Sequence, residues 1–306
     1  LRVKIHRYPY LCKTILKSRD YTYLMTKYFL GLFCLVLSVI SCQNQSVFDY
    51  EAMKRELNEN PRELLVKLDT LLSTRLNKQD KADATLMRYD CFERLDSFPK
   101  PDSTLLELTQ YYNSIGDSAK LCRAYYFNAR QLHSDYFYIR AMVNYRKAER
   151  LAANVDSTLL FQIKMHLVPI YHFNQQATTE METLNEAISL AIQLNDSLLL
   201  SKAYKTEAML HHEHKRYEEA LVSFNKACSY APFNKRKWKA EMLMEKARTQ
   251  LSLDKLEQAL TTLDKAIATD SADVPQAYRA KVCIKYFMSP NPDSHGKFLN
   301  IVQQMP

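Results

Sequence analysis

A chain of 306 residues with only 3 Gly and 10 Pro has too few tight-turn residues for a β-sandwich, a β-barrel or a nucleotide-binding α/β fold, and is expected to be mostly helical. Its formal net charge of +8 sits mainly at the front, where residues 1–42 hold seven Lys/Arg and one acid, Asp20. The remaining 35 basic and 33 acidic residues nearly cancel, so the body offers no electrostatic case for DNA or RNA as a partner.

The first 24 residues read as an upstream extension ahead of the true start at Met25; a long basic leader is the alternative. Lys27 and the apolar run Phe29 to Ile40 have the form of a signal peptide, too short to span a bilayer comfortably. The run ends in Val39-Ile40-Ser41-Cys42, which resembles a bacterial lipobox: apolar, variable, small, Cys. The resemblance implies that residues 25–42 are a lipoprotein signal peptide, cut before Cys42 so that the lipidated cysteine becomes the first mature residue. Several acyl chains on one residue anchor it stably to a membrane. A plain secretory signal or an N-terminal anchor is the competing reading. Residues 43–60 form a polar tether that runs into a short helix, and a helical repeat domain is expected over 61–306.

Pro61 stands where a helix starts, and PRELLVKLDTLL follows with leucines at helical spacing. The next helix is expected over Asp80 to Asp96. Ser97-Phe98-Pro99-Lys100-Pro101 breaks the chain, and Asp102-Ser103 opens STLLELTQYYNSIG. From there two series run in phase. Ala148, Ala187, Ala227 and Ala266 are separated by 39, 40 and 39 residues, and so are Ala129, Val168, Ala208 and Ala247. Leu108, 40 before Ala148, is a degenerate member. Asp117-Ser118, Asp156-Ser157 and Asp196-Ser197 repeat with the same period where a helix should begin, and read as N-caps; glycosylation of an Asp-Ser-apolar signal is the weaker alternative. Helix pairs are expected at roughly 80–115, 118–154, 157–195, 198–231, 237–270 and 275–304, with Pro169 kinking the first helix of the most divergent pair. Four cysteines of the body, Cys91, Cys122, Cys228 and Cys283, form no CxxC and read as small core residues.

The clearest unit is Ser201 to Pro232. Tyr204, Ala208 and His211 mark one face of its first helix; Ala220, Phe224 and Ala227 mark its second, which Pro232 stops. The pattern resembles the tetratricopeptide repeat (TPR), with a period longer than that family's usual 34 or so. The resemblance implies an all-α, right-handed TPR-like solenoid of five or six antiparallel helix pairs. Its first helices would line a concave groove for an extended peptide or a partner helix. The stretch KLCRAYYFNARQLHSDYFYIRAMVNYRKAERLA is also similar to the sensor halves of membrane-tethered bacterial regulators, which keeps a sensor module as the alternative to a lipid-anchored scaffold.

First-helix residues pointing away from the small-residue face are Arg123, Tyr126, Arg130, His133, Lys202, Lys205, His212, Arg248 and Arg279, a basic set with aromatic company suited to an acidic or extended peptide. His211 and His214 could share a face and hold a metal with a third ligand, but His211 stands where the repeat wants a packing aromatic, so no metal is expected. No HExxH, GxSxG or phosphate-binding loop is present, and Glu218-Glu219 sit at a helix start where the dipole favours acids; neither an enzyme nor a cofactor is expected. By resemblance to sorted lipoproteins, Gln43 after the anchor and the lack of an early acidic run point to the outer membrane, with the repeats facing the periplasm. The anchor is tested by Cys42→Ser, which should release the protein from membranes as a soluble or unprocessed form. Retention in the carbonate-washed membrane fraction would contradict it.

Overall fold

The computed structural model describes residues 48–232, 234–269, 275–288 and 296; Cys42 and the leader lie outside them. The described chain is helical and falls into two compact units that meet in sequence at the Ser97–Pro101 break.

The first unit holds α1 (Tyr50–Glu59), α2 (Pro61–Leu72) and α3 (Lys78–Leu95). Each begins on a side-chain cap: Asp49, Asn60 and Asn77 accept from the backbone N–H of Ala52, Glu63 and Asp80. The leucine face of α2 closes on α3, with Leu64, Leu68, Ala84, Met87 and Cys91 in one buried cluster capped by Phe48 and Leu57. The pair expected at 80–115 is therefore drawn differently: α3 packs on α2, and the helix after the break belongs to the second unit.

The second unit holds α4 (Thr104–Ile115), α5 (Ser118–Ser134), α6 (Tyr138–Ala152), α7 (Ser157–Phe173), α8 (Ala177–Gln193), α9 (Ser197–Glu213), α10 (Tyr217–Tyr230), α11 (Arg236–Ser252), α12 (Leu256–Thr269) and α13 (Pro275–Met288). Packing is strongest within the pairs α5–α6, α7–α8, α9–α10 and α11–α12, and each pair stacks on the next. That nearest-neighbour pattern defines an α-solenoid. The small-residue series is its spine. Ala129, Val168, Ala208, Ala148, Ala187, Ala227 and Ala266 are wholly buried and Ala247 nearly so. In the fourth pair Ala247, Ala259 and Ala266 share one apolar cluster with Leu243 and Leu263.

Each pair turns in the same way. Tyr136, Gln175, Lys215 and Asp254, again 39, 40 and 39 apart, take φ of 64°, 57°, 59° and 59°. In each turn two N–H groups reach back to the ending helix; in the third, Lys215 donates to the His212 carbonyl and Arg216 to the His211 carbonyl. This is the Schellman arrangement, built without glycine. The Asp-Ser positions are N-caps: Asp117, Asp156 and Asp196 accept from Lys120, Leu159 and Leu199 N–H at 3.0, 2.9 and 3.1 Å. Pro169 lies on the exposed side of α7, which continues past it.

Two polar ties lock second helices to the first helix of their own pair. The Ser201 hydroxyl donates to the Ala227 carbonyl at 2.9 Å, and the equivalent Cys122 thiol donates to the Ala148 carbonyl at 3.2 Å. Burial pushes the Cys122 and Cys91 thiols up to about 12, so both remain protonated core groups. Among the described residues no helix is long and apolar enough to cross a membrane.

Because Ala227 is wholly buried between helices, Ala227→Arg should cost several kcal/mol, about 3 or more, by overpacking and by burying a charge. Thermal denaturation reads it directly. An unchanged melting temperature would contradict the packing register.

Candidate functional site: the face of the first helices

Helices α5, α7 and α9 are the first members of consecutive pairs, so residues at the same repeat position stand side by side. Arg130 and His133 on α5, His166 on α7 and Lys202 on α9 are not repeat equivalents; they come near one another about one helical turn out of register, with Arg130, His166 and Lys202 spaced 36 residues apart. Burial, followed by the positive charge of Arg130 and the proximity of His133 and Lys202, holds the His166 imidazole well below its ordinary range. Burial and Arg130 lower His133 as well. Near neutral pH both rings are therefore uncharged, and Arg130 and Lys202 contribute positive charge to this face.

An aromatic floor supports the patch. His166 stacks on Tyr145 with ring centroids 5.7 Å apart and planes 11° from parallel. Tyr126 meets both rings, at 6.2 Å from Tyr145 and 6.0 Å from His166. His133 Nδ1 lies 3.4 Å from the Tyr145 hydroxyl. Arg130 lies over Phe98 at 5.0 Å, a cation–π contact that holds the guanidinium in place.

The nine residues expected to line the groove divide into groups. Arg130, His133 and Lys202 converge with His166, which the sequence reading did not single out. Tyr126 is only 2% exposed and serves as a wall of the aromatic floor, not as open surface. Arg123 packs over Phe127 at 6.0 Å. Lys205, His212 and Arg248 form a second group between α9 and α11 that is matched by acids. Lys205 lies 4.1 Å over the Trp238 ring. Burial lowers its pKa, while Glu241 and Glu245 oppose that shift. His212 Nδ1 is 3.0 Å from the Thr249 hydroxyl, and Arg248 pairs with Glu245 at 3.3 Å and Glu213 at 3.7 Å. The side chain of Arg279 lies outside the described residues.

The histidine reading changes in one respect. His211 is half-buried at its repeat position, and His214 pairs elsewhere. It meets His172 and Glu180 instead: His172 Nδ1 is 2.9 Å from Glu180 Oε1, and His214 Nε2 is 3.6 Å from Glu180 Oε2. The three residues and Phe173, Gln175 and Ala177 line a cavity of about 400 Å³.

No protein-family model matches the sequence, and no curated protein does. Solved structures do match, and they show the fold. One is a signal-transduction ATPase of the STAND class with a tetratricopeptide repeat sensor, from Pyrococcus horikoshii: TM-score 0.66, 15% identity, over 82% of this chain and 41% of that one. This chain thus spans well under half the length of that protein. A Rap protein in complex with competence and sporulation factor matches with TM-score 0.57 and 16% identity, over 84% of this chain and 76% of that one. Aspartyl phosphate phosphatase F from Bacillus subtilis matches with TM-score 0.56 and 18% identity, over 83% and 72%. The fold is a TPR-like α-solenoid.

The depressed histidines have a pH consequence. Folding keeps His133 and His166 neutral, so below about pH 6.5 the unfolded chain binds more protons than the folded one. Stability from these rings is complete above that pH and is lost as the pH falls. The melting temperature should therefore drop between about pH 7.5 and 5.5. His166→Phe, which keeps the stacked ring, should make the drop shallower; an identical drop in the variant would contradict this origin.

Proposed function

We propose that the second unit is a TPR-type binding scaffold that takes an acidic, extended peptide or protein segment across α5, α7 and α9. The observation that carries this reading is the convergence of Arg130, His133, His166 and Lys202 over the Tyr126–Tyr145 floor. Two fixed cations attract carboxylates. The aromatic floor offers apolar surface to side chains between them, and the neutral rings present hydrogen-bonding nitrogens. The Rap relative of the same fold was solved with a factor bound to it, which supports a ligand-receiving role.

Within that reading the scaffold is lipid-anchored at Cys42 and sits in the cell envelope, at the outer membrane facing the periplasm, where it meets segments of other proteins. The motif at residues 39–42 supports this placement. A sensor module of a larger regulator is the second reading. The repeat portion of the STAND relative, named a sensor, favours it, because this chain matches only 41% of that protein.

The test is fluorescence anisotropy with labelled extended peptides, Glu-rich and Lys-rich, at low salt. The Glu-rich probe should bind preferentially. Its affinity should rise from about pH 8 to pH 6, because an anion beside His133 and His166 draws protons onto them. Arg130→Glu with Lys202→Glu should weaken binding about tenfold or more. Equal binding of both probes, or full binding by the charge-reversed variant, would overturn the proposal.

A further inference from the structure

The four repeat pairs can be compared position by position, and the second pair departs from the others in one place. The start of each second helix carries a fully buried alanine: Ala141, Ala220 and Ala259, all 0% exposed. The spacing of 39, 40 and 39 puts Glu180 at this position in α8, and it is 1% exposed. Three residues earlier, the other pairs place large side chains, Tyr138, Tyr217 and Leu256; here the residue is Ala177. In the first and third pairs that tyrosine packs on a first-helix histidine, His133–Tyr138 at 5.4 Å and His212–Tyr217 at 5.2 Å. The equivalent His172 has no such neighbour at residue 177. Removal of the ring opens the cavity, and the glutamate delivers a carboxylate to its base.

The third participant comes from the next pair. His214 is the C-cap residue of α9, set by the same Schellman turn that Lys215 makes with φ of 59°. Its ring lies 5.7 Å from that of His172, at 70°. One ligand atom each from His172, Glu180 and His214 lie within 4.8 Å of one another. The two glutamate oxygens divide between the two rings.

We propose that His172, Glu180 and His214 form a binding site for a divalent late-transition ion of the zinc type, with a further coordination position open to the cavity. Two imidazoles and a carboxylate are a donor set such ions accept, at about 2.0–2.2 Å each, which puts tetrahedral ligand atoms about 3.4 Å apart. One ligand atom from each of the three residues lies within 4.8 Å of the other two, so small side-chain rotations reach that spacing. A buried carboxylate also calls for positive charge beside it, which a divalent ion supplies. The ligands come from α7, α8 and α9, so the ion would clasp two consecutive repeat pairs. Its open position would face the space that Ala177 leaves, available to water or to a donor from a bound partner.

The experiment uses the full chain, stripped with chelator, titrated with Zn²⁺ by calorimetry and with Co²⁺ by absorption. One equivalent should bind with Kd below about 10 µM. Co²⁺ should give d–d bands without a thiolate charge-transfer band. His172→Gln and His214→Gln should each weaken binding about tenfold or more. Their side chains are 40% and 33% exposed, so melting temperatures in chelator should match the wild type and confirm that the fold is intact. No binding up to about 100 µM, a thiolate band, or binding undiminished in both folded variants would overturn the proposal.

Discussion

The close approach of helix backbones at small residues is the contact on which the second unit depends. Alanines at positions such as 129, 148, 208 and 227 are buried to zero exposure, and a side chain one methylene larger would force the helices apart or leave its rotamer wells. With that spacing set, one large residue per pair fills the adjoining volume: Tyr145, Leu184, Phe224 and Leu263, all within 2% of complete burial. The turns follow from the same geometry. A second helix can return onto the first at close range only if the chain reverses within a few residues. Four non-glycine residues accept left-handed backbone to do so.

This regularity gives any departure from it physical weight. A solenoid sums similar units, and each unit can afford to differ only where its neighbours hold it. In the first and third pairs the first-helix histidine position ends in an aromatic contact. In the second, the loss of a ring at residue 177 and the gain of a carboxylate at 180 replace apolar packing with a polar cavity. The cationic patch arises by the same route: His166, between Arg130 and Lys202, is where one repeat position of α7 meets the groove-facing residues of α5 and α9. Neither site belongs to a single repeat. Both exist because stacking brings residues of consecutive pairs together.

Much of the fold was legible in the sequence because its determinants are local. Two alanine series in phase, aspartates ahead of each first helix and prolines at boundaries act over a few residues, and the burial and caps agree with them. The pairing of α3 was not legible, since the leucine face of α2 that receives it has no counterpart in the repeat. Tyr126 shows the limit for the groove: spacing put it on the outward face, and it is buried against Tyr145 of its own pair and His166 of the next. Glu180 was in principle readable. Its place in the alanine series at 141, 220 and 259 is a matter of spacing, but its partner His214 lies 34 residues away in another pair, and only stacking brings them together.

The central claim is that Glu180 stands at a packing position in the service of binding and not of stability. The most direct measurement is the melting temperature of Glu180→Ala in chelator. That change restores the alanine of the other three pairs. It leaves no fully buried partner stranded, since the His172 and His214 side chains are partly exposed. The account predicts a melting temperature equal to or above that of the wild type. A loss of about 2 kcal/mol or more, the cost of breaking a structural buried hydrogen-bond network, would contradict it.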